Sequence, residues 1–251
     1  MRKHMLYLEI IILILLSGCS EKNTSQDKQT HRPNILSQEE LQEGWRLLFD
    51  GETTRGWRGA NMDHFPEYGW TIENGCLIVN KGGRKAGKRG GDIVTLKKYA
   101  NFDLRFEFKL TPNANSGIKY FVVEYPNNGK GTAIGCEYQI IDDNHPAIKN
   151  DPDKKRYLAS LYALFEPHNR PLRPIGEWNE GRIVVKGKHV EHWLNGVKVL
   201  EYERGSKEFE EARLKSKFKK YPDFGIVKEG YILIQDHGDE VHFRNIKIKE
   251  L

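Results

Sequence analysis

Three stretches of this sequence carry polar side chains at alternate positions of segments that otherwise read as strands. In Gly135-Cys136-Glu137-Tyr138-Gln139-Ile140-Ile141-Asp142, Glu137 and Gln139 fall on one face and Tyr138 and Ile140 on the other, because successive strand residues point to opposite sides of a sheet. Gln235 and His237 share a face in Tyr231-Ile232-Leu233-Ile234-Gln235-Asp236-His237, and His242 and Arg244 do so in Val241-His242-Phe243-Arg244-Asn245-Ile246. If these strands neighbour one another on a concave sheet, they enclose a carboxylate, amides, a titratable imidazole and a guanidinium. That composition suits a sugar.

Each group also has a purely structural reading. Glu137 could be a solvent-facing residue, since antiparallel sheets often wet one face. His237, beside Gly238-Asp239, could close a turn in which Asp236 is the side-chain acceptor, and Arg244 could be a surface charge. Asp142-Asp143-Asn144-His145 reads as a loop start or a loose cation site without strict ligand spacing. Trp178 and Trp193 read as core residues rather than sugar platforms. No one of these residues identifies an enzyme.

The elements that would hold these groups are strands. Phe102–Leu110 alternates without error, so its even-numbered residues face a core and Asp103, Arg105, Glu107 and Lys109 face water. Residues 46–49 end in an Asp50-Gly51 turn, and residues 70–79 form a hairpin about Asn74-Gly75. Further strands are expected at 116–124, 135–142, 182–185, 189–194, 197–202, 231–235 and 241–248, with Asn195-Gly196 joining two of them tightly. Ser37-Gln38-Glu39-Glu40 caps a short helix running to about Glu43, and 203–220 reads as a partly helical surface segment. Two stretches, 80–91 and 143–176, read as long loops. The predicted fold is all-β: an antiparallel jelly-roll sandwich of two packed sheets, with a closed barrel as the alternative.

Composition narrows the class. With 38% hydrophobic and 30% charged residues the chain is too apolar for wholesale disorder and too polar for a multi-span membrane protein. Its 40 basic and 35 acidic residues are interspersed rather than gathered into a basic stripe, which argues against a nucleic-acid partner. At the N-terminus, Arg2 and Lys3 precede an apolar run, Ile10 to Leu16, too short to span a bilayer. Leu16-Ser17-Gly18-Cys19 resembles the lipobox of bacterial lipoproteins, although Glu9 is irregular for any leader. Residues 1–18 are thus expected to be a signal peptide, Cys19 the lipidated residue, 19–33 a polar tether and 34–251 the folded domain. The expected product is an exported lipoprotein, periplasmic or at the cell surface, touching the membrane through its lipid only. Cys76 and Cys136 remain, either as one bridge or as two buried thiols.

From about Gly44 to Leu251 the chain resembles the bacterial 3-keto-disaccharide hydrolase domain family, once catalogued as a domain of unknown function. The resemblance rests on eight ordered blocks: Leu48-Phe49-Asp50-Gly51 with Gly56-Trp57; Trp70 with Glu73-Asn74-Gly75-Cys76-Leu77; Asn115-Ser116-Gly117-Ile118-Lys119-Tyr120; Glu137-Tyr138-Gln139-Ile140-Ile141-Asp142; Ser160-Leu161-Tyr162; Gly176-Glu177-Trp178-Asn179; Trp193-Leu194-Asn195-Gly196; and Gln235-Asp236-His237-Gly238 with Phe243-Arg244-Asn245-Ile246. It implies a concanavalin-A-like jelly roll acting on sugars already oxidised at C3. Because one fold hosts many chemistries, the activity follows from the resemblance and not from the architecture.

The implied substrate, a 3-keto oligosaccharide or glucoside, dictates a mechanism. A ketone at C3 acidifies the hydrogen on C2, so a base can remove it and the enolate can expel the C1 substituent, with or without later addition of water. This needs a base, a partner for the O3 oxyanion and an acid for the leaving oxygen. On this implication Glu137 and His237 form the proton-transfer pair, in either order. Lys119, Arg244 and Gln235 are candidates for the oxyanion, Tyr162 for the leaving group, and Gln139, Asp142 and Asn179 for hydroxyl recognition. No cofactor is required, though a divalent metal on His237, Glu137 or Asp142 could take the oxyanion role. Two alternatives stay open. An ordinary glycoside hydrolase needs a second carboxylate about 5 to 9.5 Å from Glu137, for which Asp142 or Glu191 would serve; a non-catalytic glycan-binding lipoprotein needs exposed Trp faces and no buried acid.

Overall fold

Hydrophobic alternation decides which face of each strand turns inward. The computed structural model describes residues 32–82, 90–126 and 131–251; the leader, Cys19 and the tether to residue 31 lie outside them. In chain order the strands are β1 (Arg46–Leu47), β2 (Trp57–Gly59), β3 (Trp70–Glu73), β4 (Cys76–Val79), β5 (Ile93–Tyr99), β6 (Phe102–Leu110), β7 (Asn115–Tyr125), β8 (Thr132–Ile141), β9 (Trp178–Lys186), β10 (His189–Leu194), β11 (Val197–Glu203), β12 (Gly230–Ile234) and β13 (Val241–Glu250). Helix α1 (Gln38–Gln42) precedes them, and α2 (Lys207–Lys215) runs into a 3-10 turn, Lys217–Lys220, between β11 and β12.

Two antiparallel sheets form. An eight-stranded one has the order β11-β10-β9-β6-β13-β4-β3, with β1 also on β13, and a five-stranded one has the order β2-β5-β12-β7-β8. The architecture is therefore the expected sandwich and not a closed barrel. The even-numbered residues of β6, Phe102 through Leu110, are all buried as predicted. Across the layer they meet Ile118 and Tyr120 of β7 and Tyr138 and Ile140 of β8 in one core cluster. Phe106 sits edge-on to Tyr138 at 5.3 Å and Phe102 edge-on to Tyr120 at 6.4 Å, so aromatic pairs tie the sheets together. Fully burying each such ring contributes about 1.5–3 kcal/mol.

Asn74-Gly75 and Asn195-Gly196 both adopt positive φ, 52° and 73° in the first and 48° and 81° in the second. This is the two-residue hairpin geometry that Asn-Gly favours. Strands β2 and β5 lie where no strand was expected. β5 shows Ile93, Val94 and Thr95 buried but Leu96, Lys97 and Lys98 exposed, so a period-two signal is lost halfway along it. Ser37 caps α1 in a capping box with Glu40, as its spacing predicts.

The edge strand β8 is covered by the middle of the long loop. Leu161 bridges to Tyr138. The Ala159 N–H donates to the Gln139 carbonyl at 2.8 Å, and the Tyr162 N–H to the Glu137 carbonyl at 3.1 Å. Ala159 holds φ at +67°, and its own carbonyl accepts from Nδ1 of buried His192 at 3.0 Å. That leaves Nε2 to accept from the Tyr120 hydroxyl at 2.7 Å; burial pushes the imidazole pKa down to about 4, so it is neutral. No helix among the described residues is long and apolar enough to cross a membrane.

Candidate active site

Since Ile118 and Tyr120 of β7, Cys136, Tyr138 and Ile140 of β8 and Ile232 and Ile234 of β12 all point into the core, the residues between them must face away from it. Gly117, Lys119, Glu137, Gln139 and Gln235 therefore share the outer face of the five-stranded sheet. Lys119 lies directly opposite Glu137, and Gly117 opposite Gln139. On the other side of β7, the Gln235 N–H donates to the Gly117 carbonyl at 3.0 Å. Side-chain amide and carboxylate then meet across a bare glycine, with Gln235 Nε2 donating to Glu137 Oε2 at 3.4 Å. A Cβ on Gly117 would lie 2.4 Å from Gln235 Oε1 and 3.0 Å from Glu137 Oε1, so only glycine leaves this floor open.

The result is a cleft of about 350 Å³ lined by Lys119, Glu137, Lys217, Lys220, Tyr221 and Gln235, with Ile134 and Phe218 as apolar walls. Glu137 is only 5% exposed. Burial pushes its carboxyl pKa above the ordinary value and Asp92 adds to this, against Lys119 and Lys217, which draw it down. Lys119 Nζ is held 3.7 Å from Asp92 Oδ2 and donates to the Ala133 carbonyl at 3.4 Å. Tyr162 adjoins the site through its ring, whose centre lies 4.3 Å from Lys217 Nζ. Burial and the neighbouring carboxylate raise its phenol pKa, so the hydroxyl keeps its proton. Gln235 Oε1 is buried with no hydrogen-bond partner among the described residues.

Four of the expected residues thus converge: Glu137, Lys119, Gln235 and Tyr162. Gln139 is on the same face but buried, its Oε1 accepting from the Ile140 N–H at 3.1 Å. His237 is half-buried two residues beyond Gln235, next to a turn in which the Gly238 N–H donates to Asp236 Oδ1 at 2.8 Å.

Arg244, Asn179 and Asp142 do not join them. β13 belongs to the eight-stranded sheet, not to the sheet of Glu137. There Arg244 donates to Glu107 Oε2 at 2.6 Å and lies over the Trp178 ring at 4.0 Å, while Asn245 takes the other Glu107 oxygen at 2.7 Å. Asn179, on β9, accepts from Asn195 Nδ2 at 2.8 Å. Asp142 spends both oxygens on loop N–H groups, those of Asn113 and Asn144, each at 2.9 Å. Asp142 and Asn179 line a separate hollow of about 200 Å³. Trp178 and Trp193 are not core residues either: both are part-exposed, under Arg244 and Arg182 respectively. Among the described residues the group with metal-ligand spacing is His189, Glu191 and Glu201, on the β10–β11 edge, rather than a set around Glu137. Glu191 lies on the eight-stranded sheet and Asp142 lines the separate hollow, so neither lines the cleft beside Glu137.

The sequence reading missed Lys217, Lys220 and Tyr221, which line the cleft from a 3-10 turn and its C-cap with no periodicity, and Asp92, which follows a loop and pairs with Lys119 at its edge. The signal for Lys217 was Phe218, the apolar residue that anchors this turn by stacking on Phe224 at 4.2 Å.

Comparison with known proteins bears on the whole folded region. Residues 44–249 match the family described as the 3-keto-alpha-glucoside-1,2-lyase-like domain. The chain belongs to that family. A family relative, the 3-keto-disaccharide hydrolase of Bacteroides thetaiotaomicron, is 35% identical over 96% of this chain and 94% of its own. A crystal structure of a candidate glycosyl hydrolase from Parabacteroides distasonis is 35% identical, covers 87% of this chain and 99% of its own, and superposes with a TM-score of 0.75. A second from the same organism is 26% identical over 82% of this chain, with a TM-score of 0.58. Within this family the match takes in β7, β8 and β12, the three strands that form the floor of the cleft.

Proposed function

We propose that the protein cleaves the glycosidic bond of 3-keto glycosides, by abstraction of the C2 proton and elimination at C1. The observation that carries the proposal is Glu137: a buried carboxyl of raised pKa, facing an open cleft, with an ammonium and an amide beside it. A base that takes a proton from carbon works best when its own affinity for protons is raised. In the proposed step the C2–H bond breaks toward Glu137 and the electron pair moves through C2–C3 onto O3, where the Lys119 side meets it. The pair on O3 then returns, C3=O re-forms, the C2=C3 pair moves to make C1=C2 as the C1–O bond breaks, and the leaving oxygen takes the Tyr162 proton. Release of the unsaturated sugar makes the enzyme a lyase; water adding at C1 makes it a hydrolase.

Support comes from the family and from the 3-keto-disaccharide hydrolase relative. The test uses matched 3-keto and unoxidised glucosides with the purified protein. Turnover of the 3-keto compound alone is expected, and Glu137→Gln should lower it by about a hundredfold or more. Equal turnover of the unoxidised glucoside would point instead to an ordinary glycoside hydrolase, and turnover of neither to a glycan-binding protein.

A further inference from the structure

Of the charged groups in the cleft, Lys119 has already met its counter-ion in Asp92, and Glu137 has met Gln235. Lys217 has not. Among the described residues it forms no ion pair; its ammonium lies 4.3 Å from the centre of the Tyr162 ring and 5.2 Å from that of Phe218. Although the residue as a whole is exposed, this ammonium is crowded among rings beside a second cation. Loss of water and the Lys119 charge both draw its proton affinity below the ordinary lysine value, against the pull of Glu137. A cation held on two aromatic faces with no carboxylate at ion-pair distance among the described residues is costly in the free protein, and an anion arriving in the cleft would offset that cost.

Resting on the C2-proton-abstraction reading above, we infer that Lys217 is a catalytic residue, its ammonium stabilising the negative charge that develops on O3 when the C2 proton passes to Glu137. The position is consistent with that charge being transient. A permanent anion in the cleft would be met by Lys119 and Lys217 together, but the ground-state ketone is neutral. Lys217 therefore interacts more strongly with the enolate than with the bound substrate, which is the condition for raising kcat rather than lowering KM. It takes the place that the sequence suggested for Arg244, a residue bound to Glu107 on the other sheet.

The experiment compares the full chain with Lys217→Met, Lys217→Gln and Lys217→Arg, and with Lys219→Met as a control on the exposed side of the same turn. Three quantities are measured on a 3-keto glucoside: kcat, KM, and uptake of deuterium at C2 from heavy water in recovered substrate. Removing the charge should lower kcat by about a hundredfold and deuterium uptake in parallel, with KM changed by no more than about threefold. Lys217→Arg should recover part of the loss, Lys219→Met should match the parent, and no variant should melt below the parent's temperature. A Lys217→Met or Lys217→Gln protein that keeps kcat within about threefold, or loses only KM, overturns the inference while the parent's turnover leaves the proposed function standing. A parent that neither turns over the 3-keto substrate nor exchanges its C2 proton sinks the proposed function itself.

Discussion

Glu137 and Gly117 act as one device. The carboxyl head has room because Gly117, diagonal to Glu137 on the neighbouring strand, carries no side chain, and the 2.4 and 3.0 Å that would separate an added methyl group from Gln235 and Glu137 measure how little space remains. Gly117→Ala should accordingly displace both polar heads and lower turnover of the 3-keto substrate by about tenfold to a hundredfold, checked by steady-state kinetics alongside a circular-dichroism melt. The raised proton affinity of Glu137 sets two pH effects. As a base it must be ionised, so the acidic limb of kcat/KM should lie above the ordinary carboxylate range. For stability, the folded chain holds the Glu137 proton to higher pH than the unfolded chain does. Its contribution is therefore complete below the ordinary carboxylate range and is lost as pH rises through the raised value. Glu137→Gln, which keeps shape without charge, should melt at a higher temperature than the parent at about pH 8 and show little difference at about pH 4; a lower melting temperature at the higher pH would contradict the burial argument.

Elements differ in how openly they announce themselves. The Phe102–Leu110 alternation, the Asn-Gly hairpins and the capping box at Ser37 depend on neighbours in sequence, and all three were legible there. So was the shared face of Glu137 and Gln139, since it needs only the period of one strand. Which sheet a strand joins is a long-range fact, and that is why Arg244 was misplaced: β13 carries polar residues at alternate positions as β8 does, but pairs with β6 and β4. The 3-10 turn is harder still, for its four residues, Lys-Phe-Lys-Lys, carry a single apolar anchor. Phe218 is buried against Phe224 in that turn and lines the cleft beside Lys217. Phe218→Ala should cost about 3–5 kcal/mol in urea unfolding and also lower turnover through the misplaced Lys217, whereas Phe218→Leu should restore most of both. A Phe218→Ala protein with full activity would show that the turn does not need its anchor to place the lysine.

At the scale of the whole molecule, export and thiol chemistry are linked. We propose from the Leu-Ser-Gly-Cys sequence that Cys19 is the lipidated residue, which would put the folded region in an oxidising setting where a bridge between the remaining cysteines could form. The fold separates them. Cys136 is fully buried in the core between the sheets, where burial pushes its thiol pKa up to about 12 and Tyr202 is its neighbour. Cys76 is on β4 of the other sheet, where burial raises its thiol pKa against the pull of Arg244 and Lys109, both on strands of that sheet. Both thiols are free. A bridge closing the loop between them would add about 4 kcal/mol of stability, equivalent to about ten degrees of melting temperature for a domain of this size. Thermal unfolding with and without a strong reductant should therefore give the same midpoint; a fall of that order on reduction would mean that the two sheets pack differently around β4 and β8.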